Sequence, residues 1–559
     1  MTVLAVAIAA LVSCSSGSTS STVPSNASIP GGTLTGLSQI QHIIVIYQEN
    51  WSFDALYARY PGANGATTAQ TQVQYGSVDA NSNCSGNSYV TMTSLTNMPP
   101  LLNATGNLGP WPCGPNYVGA GTVSSYANAG GSNPDPAYPS TGLAAQAFNL
   151  AQYDPQNQTN VLTGDITHVF WHNQIQIDNG VLEPSNGAND KYVAYSSNPG
   201  YVLSQYDATN LPEGKIAQHY TMGDNGFASA FGGSFLNHQW LICACTPQWN
   251  QAMPSSTTFQ STWNSATKSL RDANITLMPT PQTAAGAQGG QYWVVNTTQT
   301  ANNPHNPTTS SDQLLAPIPA TQKTIGDLLT DATPSISWKW YSGDWSAAVA
   351  SASAAAACTA PGATNTSQSN SPPGSGDCFQ FHHQPFNYYA RWGSATPANC
   401  ANPTPHLCDE QNFFSDLTNQ TLPAVAFVKP VGVNNEHPNY STLLAGQNHV
   451  QQLMAALCNS PYWANSIVII TYDEFGGRYD HVTPPKIDQW GPGTRVPFII
   501  ASPYAKANFV DHTQYETDSI LALIEKRFGL SPLGTRDAAA APFTGALNFS
   551  QSPLACQSS

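Results

Sequence analysis

Charge is the scarcest thing in this chain. Only 8% of its 559 residues are Asp, Glu, Lys or Arg, and 16 Lys and Arg stand against 31 Asp and Glu, giving a formal net charge of −15. Nucleic-acid backbones are held chiefly by Lys and Arg, so this balance argues against a nucleic acid as partner. A small phosphate-bearing molecule remains admissible, but its charge must then be met by a metal ion or by histidines, of which there are 13. Long apolar runs are also missing: the N-terminal stretch MTVLAVAIAALVSC falls short of the ~20 residues that a membrane-spanning helix needs. No internal repeat is evident.

That N-terminal stretch ends in Leu11-Val12-Ser13-Cys14 and runs into a Ser/Thr-rich segment. It resembles a bacterial lipoprotein signal, in which the cysteine is diacylated; an ordinary cleaved secretory signal is the alternative. Setting Cys14 aside leaves an even number of the 11 cysteines, suited to disulfides in an oxidising compartment. The close spacings Cys84/Cys113, Cys243/Cys245, Cys358/Cys378 and Cys400/Cys408 predict stapled loops, and Cys243/Cys245 matches no zinc-ribbon pattern. Residues 1–37 are read as signal and flexible tether, and 38–559 as one catalytic domain with insertions. The expected setting is exported, periplasmic or cell-surface, with a membrane link only through Cys14. Oligomeric state is not legible.

What is present is organised around Ser466–His481, SIVIITYDEFGGRYDH. Four β-branched residues, Ile467–Ile470, read as a strand buried on both faces, followed by Asp473, Glu474 and a Gly476-Gly477 turn. A second buried strand, Ile40–Tyr47, runs into Glu49 and Asn50. Further strands are expected at Ser335–Trp340, Ala424–Lys429 and Val496–Ile500, and helices at Thr324–Leu329, Leu443–Leu457 and Ser519–Phe528. This alternation predicts an α/β fold, a doubly wound, mainly parallel sheet flanked by helices, with long disulfide-stapled loop insertions.

An acid pair after a strand is commonly a solvated turn. Two such exits with matching carboxylates, at the sheet edge where ligands collect, point instead to a divalent cation. Helical spacing around His168, His172 and Ile175 places His168 and His172 on one helix face. Ser234 follows Gly232-Gly233, where it would cap a helix or stand as an exposed nucleophile whose adduct is held by free backbone amides. Oxygen ligands from Glu49, Asn50, Ser234, Asp473 and Glu474, with imidazoles from His168, His382, His383, His437 and His481, suit phosphoryl transfer.

Glu49-Asn50 with Ser52-Phe53-Asp54, the Asp165–His168 block, Gly232–Asn237, Glu436-His437-Pro438, Tyr472–Gly477 and Asp480-His481-Val482 together resemble the bacterial phosphoesterase family of phospholipases C and acid phosphatases, related to the alkaline phosphatase superfamily. The resemblance runs from about residue 38 to 530. It implies Ser234 as nucleophile and as ligand, with Glu49, Asn50, Asp473 and Glu474, of one divalent metal ion. It implies His168 and His437 in catalysis, and His382, His383, His481 and Asn237 toward substrate. Trp51 stands where many relatives carry a basic residue. The His382-His383-Gln384-Pro385-Phe386 block and the serine followed by Phe-Leu-Asn-His look like the respiratory-burst-inhibiting acid phosphatase branch. The expectation is a metal-dependent acid phosphatase acting on phosphomonoesters through a phosphoserine, most active where the pocket histidines are cationic. A phospholipase C is the alternative, and a surface lipoprotein that only binds is the reading from another class.

Overall fold

The computed structural model describes residues 35–66 and 202–559 apart from 252–261, 265–268, 272–273, 279–290, 357–377, 395–399, 401–405 and 439, with isolated short segments between 67 and 201. The expected lipidation site, most of the tether, and Cys84, Cys113 and Cys358 lie outside the described residues.

Eight strands form the central sheet: β1 His42–Gln48, β2 Thr221–Gly223, β3 Trp338–Ser342, β4 Leu407–Asp409, β5 Val425–Lys429, β6 Ser466–Tyr472, β7 Phe498–Ala501 and β8 Phe509–Asp511. Their spatial order is β4-β3-β5-β1-β6-β7-β2-β8. The sheet is parallel except where β7 runs antiparallel to both β6 and β2. Every residue of β1, β5 and β6 is buried, which is what unbroken apolar runs demand of central strands covered on both faces.

The helices bearing on the argument are α1 Phe53–Tyr57, α2 Phe170–Gln176, α3 Pro212–His219, α4 Ser234–Cys243, α5 Ile325–Asp331, α6 Glu410–Asn419, α7 Leu443–Cys458 and α8 Asp518–Phe528. They pack in two sets, α6 with α7 and α7 with α3, and α5 with α4 and α4 with α8, as in sheets flanked by helix layers. Side-chain caps start several of them: Thr324 accepts from the Asp327 amide and Thr442 from the Ala445 amide.

Disulfides join Cys243 to Cys245 and Cys400 to Cys408, as the spacings predict. A third, Cys458–Cys556, ties the end of α7 to residues near the chain's end, across 98 positions. No local spacing announces it.

Two expectations about helices need correction. His168 precedes α2 instead of sharing a face with His172, because the helical hydrogen bonds begin only with Asn173 N to Val169 O, and Phe170 N is taken by Asn296 Oδ1 at 3.0 Å. Ser234 is not a helix cap: Gly233 occupies that position in extended conformation, and Ser234 is the first residue of α4.

Candidate active site

Register brings the acids together. β1 and β6 pair in parallel through Gln48 and Tyr472, so the next residues, Glu49 and Asp473, leave adjacent strands side by side. The chain then turns sharply. Gly476 and Gly477 have φ of +60° and +73°, and a Cβ on Gly476 would lie 2.0 Å from the Asn50 carbonyl oxygen, so glycine is required there. Asn50 itself has φ of 70°, a conformation asparagine tolerates better than most side chains. Asp473 Oδ1 fixes the exit by accepting from Asn50 N at 3.0 Å and from Glu474 N at 2.8 Å.

Four predicted oxygens converge beyond these strand ends. Ser234 Oγ, delivered by the start of α4, donates to Glu49 Oε2 at 2.8 Å. The side-chain amide of Asn50 lies against Glu49 Oε2 at 3.1 Å and Glu474 Oε1 at 2.8 Å on one side and against His437 Nε2 at 3.1 Å on the other. Which of its atoms faces the acids decides what the site is. With nitrogen toward the carboxylates, oxygen must accept from His437 Nε2, while His437 Nδ1 already faces the Pro438 carbonyl at 2.6 Å. The ring would then carry two hydrogens, although burial lowers its pKa. With oxygen toward the carboxylates, nitrogen donates to neutral His437 Nε2 and to His168 Nε2 at 3.4 Å, and both rings are satisfied. That orientation leaves Asn50 Oδ1, Glu49 Oε2 and Glu474 Oε1 facing one another, an arrangement that repels unless a cation lies among them.

The electrostatics agree. Glu49, Asp473 and Glu474 are fully buried. Burial, then the charge of Asp473, pushes the carboxyls of Glu49 and Glu474 well above the usual range. Asp473 Oδ2 is buried with no hydrogen-bond partner. These residues fit a divalent cation with hard oxygen ligands.

Two groups at the site escaped the sequence reading. Lys429, the last residue of β5, is 1% exposed; its ammonium contacts Glu49 Oε1 and donates to the Tyr47 carbonyl at 3.1 Å. His238, one helical turn beyond Ser234, donates Nδ1 to the Ser234 carbonyl at 2.7 Å and turns Nε2 toward Glu49 Oε1 at 3.8 Å. His383 stacks on His238 with ring centroids 4.9 Å apart, and its Nε2 is 3.3 Å from Glu49 Oε1. Glu49, His238 and His383 therefore form a second set of converging donors, one already shared with Lys429.

The remaining predicted residues divide. His168, His382 and His437 cluster at the half-buried mouth. His168 Nε2 lies 3.6 Å from Glu474 Oε1, the His168 and His437 centroids are 5.9 Å apart, and His437 stacks on Tyr440 at 4.3 Å. Asn237 does not face this space: its amide donates to the Gly232 and Gly233 carbonyls at 3.4 and 3.3 Å and accepts from Ala230 N at 3.0 Å, locking the loop before α4. His481 is held in a different cluster, with Nδ1 2.7 Å from Asp54 Oδ2 and Nε2 3.3 Å from Asn64 Oδ1. Its partners Asp54 and Asp480 are neutralised by buried Arg495 at 2.9 and 3.0 Å. Trp51 is buried under the Arg478 guanidinium, 4.2 Å from its ring, and donates to the Glu436 carbonyl at 3.1 Å.

The expected cationic histidines are also corrected. Burial, followed by neighbouring positive groups, lowers His382 to about 3 and takes His383 and His238 well below the usual imidazole value. These rings present lone pairs at mildly acidic pH.

Comparison with known proteins gives the geometry a context. A family model described as the phosphoesterase family matches residues 116–531. Phospholipase C B of Mycobacterium tuberculosis is 30% identical over 169 residues, covering 25% of this chain and 32% of that protein. Non-specific phospholipase C6 of Arabidopsis thaliana is 32% identical over 174 residues, covering 25% and 33%. The match thus spans about a third of these relatives' own length. A solved protein of the alkaline phosphatase superfamily from Vibrio parahaemolyticus aligns over 59% of this chain and 64% of its own, with 11% identity and a TM-score of 0.29.

Proposed function

This chain belongs to the phosphoesterase family, and from that premise we propose that it hydrolyses phosphoesters through Ser234, with phosphomonoesters as the preferred class. The observation that carries the reading is the convergence of Ser234 Oγ, Glu49, Asn50 and Glu474 beyond two adjacent strand ends. One divalent ion held by Glu49, Asn50, Ser234, Asp473 and Glu474 would act as a Lewis acid toward the phosphate and the serine hydroxyl.

The residues of the chain do the rest. Ser234 Oγ passes its proton toward Glu49 Oε2 as it attacks phosphorus, and the bond from phosphorus to the departing oxygen breaks. That oxygen takes its proton from solvent water at the mouth, beside His168, whose Nε2 lies 3.6 Å from Glu474 Oε1. Water then attacks the phosphoserine, the P–Oγ bond breaks, and Ser234 recovers its hydrogen. His382 and His437 line the mouth and orient the phosphate group. With these rings neutral, the positive charge facing phosphate is the cation's, and the acid-phosphatase assignment rests on the branch resemblance alone.

Ser234→Ala should keep its fold and lose nearly all turnover of p-nitrophenyl phosphate; retention of more than about a hundredth of wild-type kcat is too much for a missing nucleophile and overturns the reading. Phospholipase C activity is the second reading, favoured by the names of the matched relatives. Turnover of p-nitrophenylphosphorylcholine exceeding that of the monoester would establish it in preference. Export is part of the proposal, and the disulfides among the described residues support an oxidising compartment.

A further inference from the structure

Behind the site lie two glutamates that the mechanism does not use. Glu213 on α3 and Glu436 after β5 are both fully buried, and no Lys, Arg or His forms an ion pair with either among the described residues. One hydroxyl stands between them: Tyr472 Oη is 2.9 Å from Glu213 Oε2 and 2.8 Å from Glu436 Oε2. A tyrosine has one hydrogen, so it can donate to one carboxyl only. The other contact is a hydrogen bond only if the second carboxyl brings a hydrogen of its own.

Counting donors says which. Glu436 Oε1 already accepts from Gln48 Nε2 at 3.1 Å, so with Tyr472 it collects a donor on each oxygen and is solvated as an anion. Glu213 Oε1 has no partner, and as an anion Glu213 would be left with a single donor in the interior. Burial pushes the Glu213 carboxyl up to about 7, and burial, then the charge of Glu213 beside it, raises Glu436 well above the usual range, so the pair retains a proton; it is the count of donors that places it on Glu213. We propose that Glu213 is kept as a neutral carboxylic acid that donates to Tyr472 Oη, which donates to ionised Glu436, and that this relay positions the active-site strand ends.

The positioning follows from the chain. Gln48, Tyr472 and Glu436 immediately precede Glu49, Asp473 and His437. Three loops that carry site residues are thus tied from behind by one hydrogen-bonded line, closed by Gln447, whose Oε1 accepts from Glu213 N at 2.9 Å and whose Nε2 donates to Tyr472 Oη at 3.4 Å. Glu436 sits at φ of 72°, a conformation its surroundings must enforce. Glu213 touches no substrate; it acts through Tyr472.

Infrared spectroscopy of the full chain at neutral pH tests the protonation directly. Other buried carboxyls with raised pKa contribute to the same region, so the readout is the difference spectrum: wild type minus Glu213→Gln should show the loss of one protonated-carboxyl carbonyl band, and wild type minus Glu436→Gln should not. No band lost in Glu213→Gln, or a band lost in Glu436→Gln and kept in Glu213→Gln, overturns the assignment. The positioning claim rests on the phosphoesterase reading and uses turnover: Glu213→Ala should lower kcat and divalent-metal affinity by roughly tenfold, and Glu213→Gln, which restores a donor, should recover most of both. Equal losses in the two variants would refute a relay. If Ser234→Ala stayed active while the infrared pattern held, the catalytic reading would fail and the neutral Glu213 would stand.

Discussion

Lys429→Met is the perturbation that asks most of the site. The Lys429 ammonium lies on Glu49 Oε1, with both groups buried and Asp473 adding its charge nearby. Removing one partner of a buried ion pair costs about 3–5 kcal/mol when the other stays ionised. Glu49 can avoid that cost by taking a proton, since burial and Asp473 already raise its pKa and loss of Lys429 raises it further. A carboxyl with a raised folded pKa binds more protons folded than unfolded, so its contribution to stability falls as pH rises. The deficit of the variant should therefore be small at low pH, open where wild-type Glu49 ionises, and grow from there by about 1.4 kcal/mol per pH unit. Urea unfolding of chelated wild type and variant across pH measures it. Adding divalent metal at about a hundredfold the dissociation constant of each protein should return ~2.7 kcal/mol to both. A deficit that is absent, or flat with pH, would show that Lys429 does not hold Glu49 ionised.

Gly476→Ala should leave the sheet intact yet lose metal and turnover, because its Cβ would lie 2.0 Å from the Asn50 carbonyl oxygen; calorimetric metal titration reads this, and unchanged affinity would contradict it. For His481, burial works to lower the pKa but Asp54 outweighs it and raises it, while Arg495 and His481 outweigh burial and hold Asp54 low. The raised His481 stabilises fully below an unfolded pKa of about 6.5 and loses its effect as pH climbs through the folded value, and the depressed Asp54 stabilises above about 3.8. His481→Gln should then cost roughly 1.5–3 kcal/mol near pH 5.5 and less near pH 8.5, and equal costs at both would refute the pairing. Cys458→Ser opens a cross-link spanning 98 positions and should cost about 4–5 kcal/mol by loop entropy, seen as a lower urea midpoint; no shift would mean that the tie contributes nothing.

The sheet was legible because its central strands are unbroken β-branched runs that only a doubly covered strand accommodates. β6 spans Ser466–Tyr472 around the four residues that announced it, and β1 and β5 lie within a residue or two of expectation. Strand direction is not written in such a pattern, and β7 proved antiparallel. The convergence of Glu49, Asn50, Asp473 and Glu474 was legible for the same reason, since residues just past parallel strands must share one edge. Lys429 and His238 were not. A lysine closing VAFVK reads as a strand leaving for solvent, and only the register beside Tyr47 turns its ammonium onto Glu49. His238 has a legible signal, four residues after Ser234 on one helix face, which the Asn237 assignment obscured. The tie from Cys458 to Cys556 depends on where α7 and the final residues meet, which no spacing records.

The shortage of positive charge that marks the sequence reappears in the interior, and the way each buried acid cluster is neutralised separates structure from chemistry. Asp54 and Asp480 share Arg495 and accept further donors from the backbone. Glu516 contacts Arg536, whose charge also reaches Asp518. Glu213 and Glu436, with no cation, are resolved by one retained proton and a tyrosine bridge. At the strand ends neither solution closes the account. Glu49, Asp473 and Glu474 are three buried carboxyls against the single ammonium of Lys429, and a shared proton does not help Asp473 Oδ2, which has no donor, or Asn50 Oδ1, which faces two acids once its amide satisfies the histidines. A proton neutralises one oxygen; a divalent ion answers several at once and from one point. The cluster that the fold leaves uncompensated is the one that contains Ser234, so the same imbalance that calls for a cation places it beside the serine proposed as nucleophile.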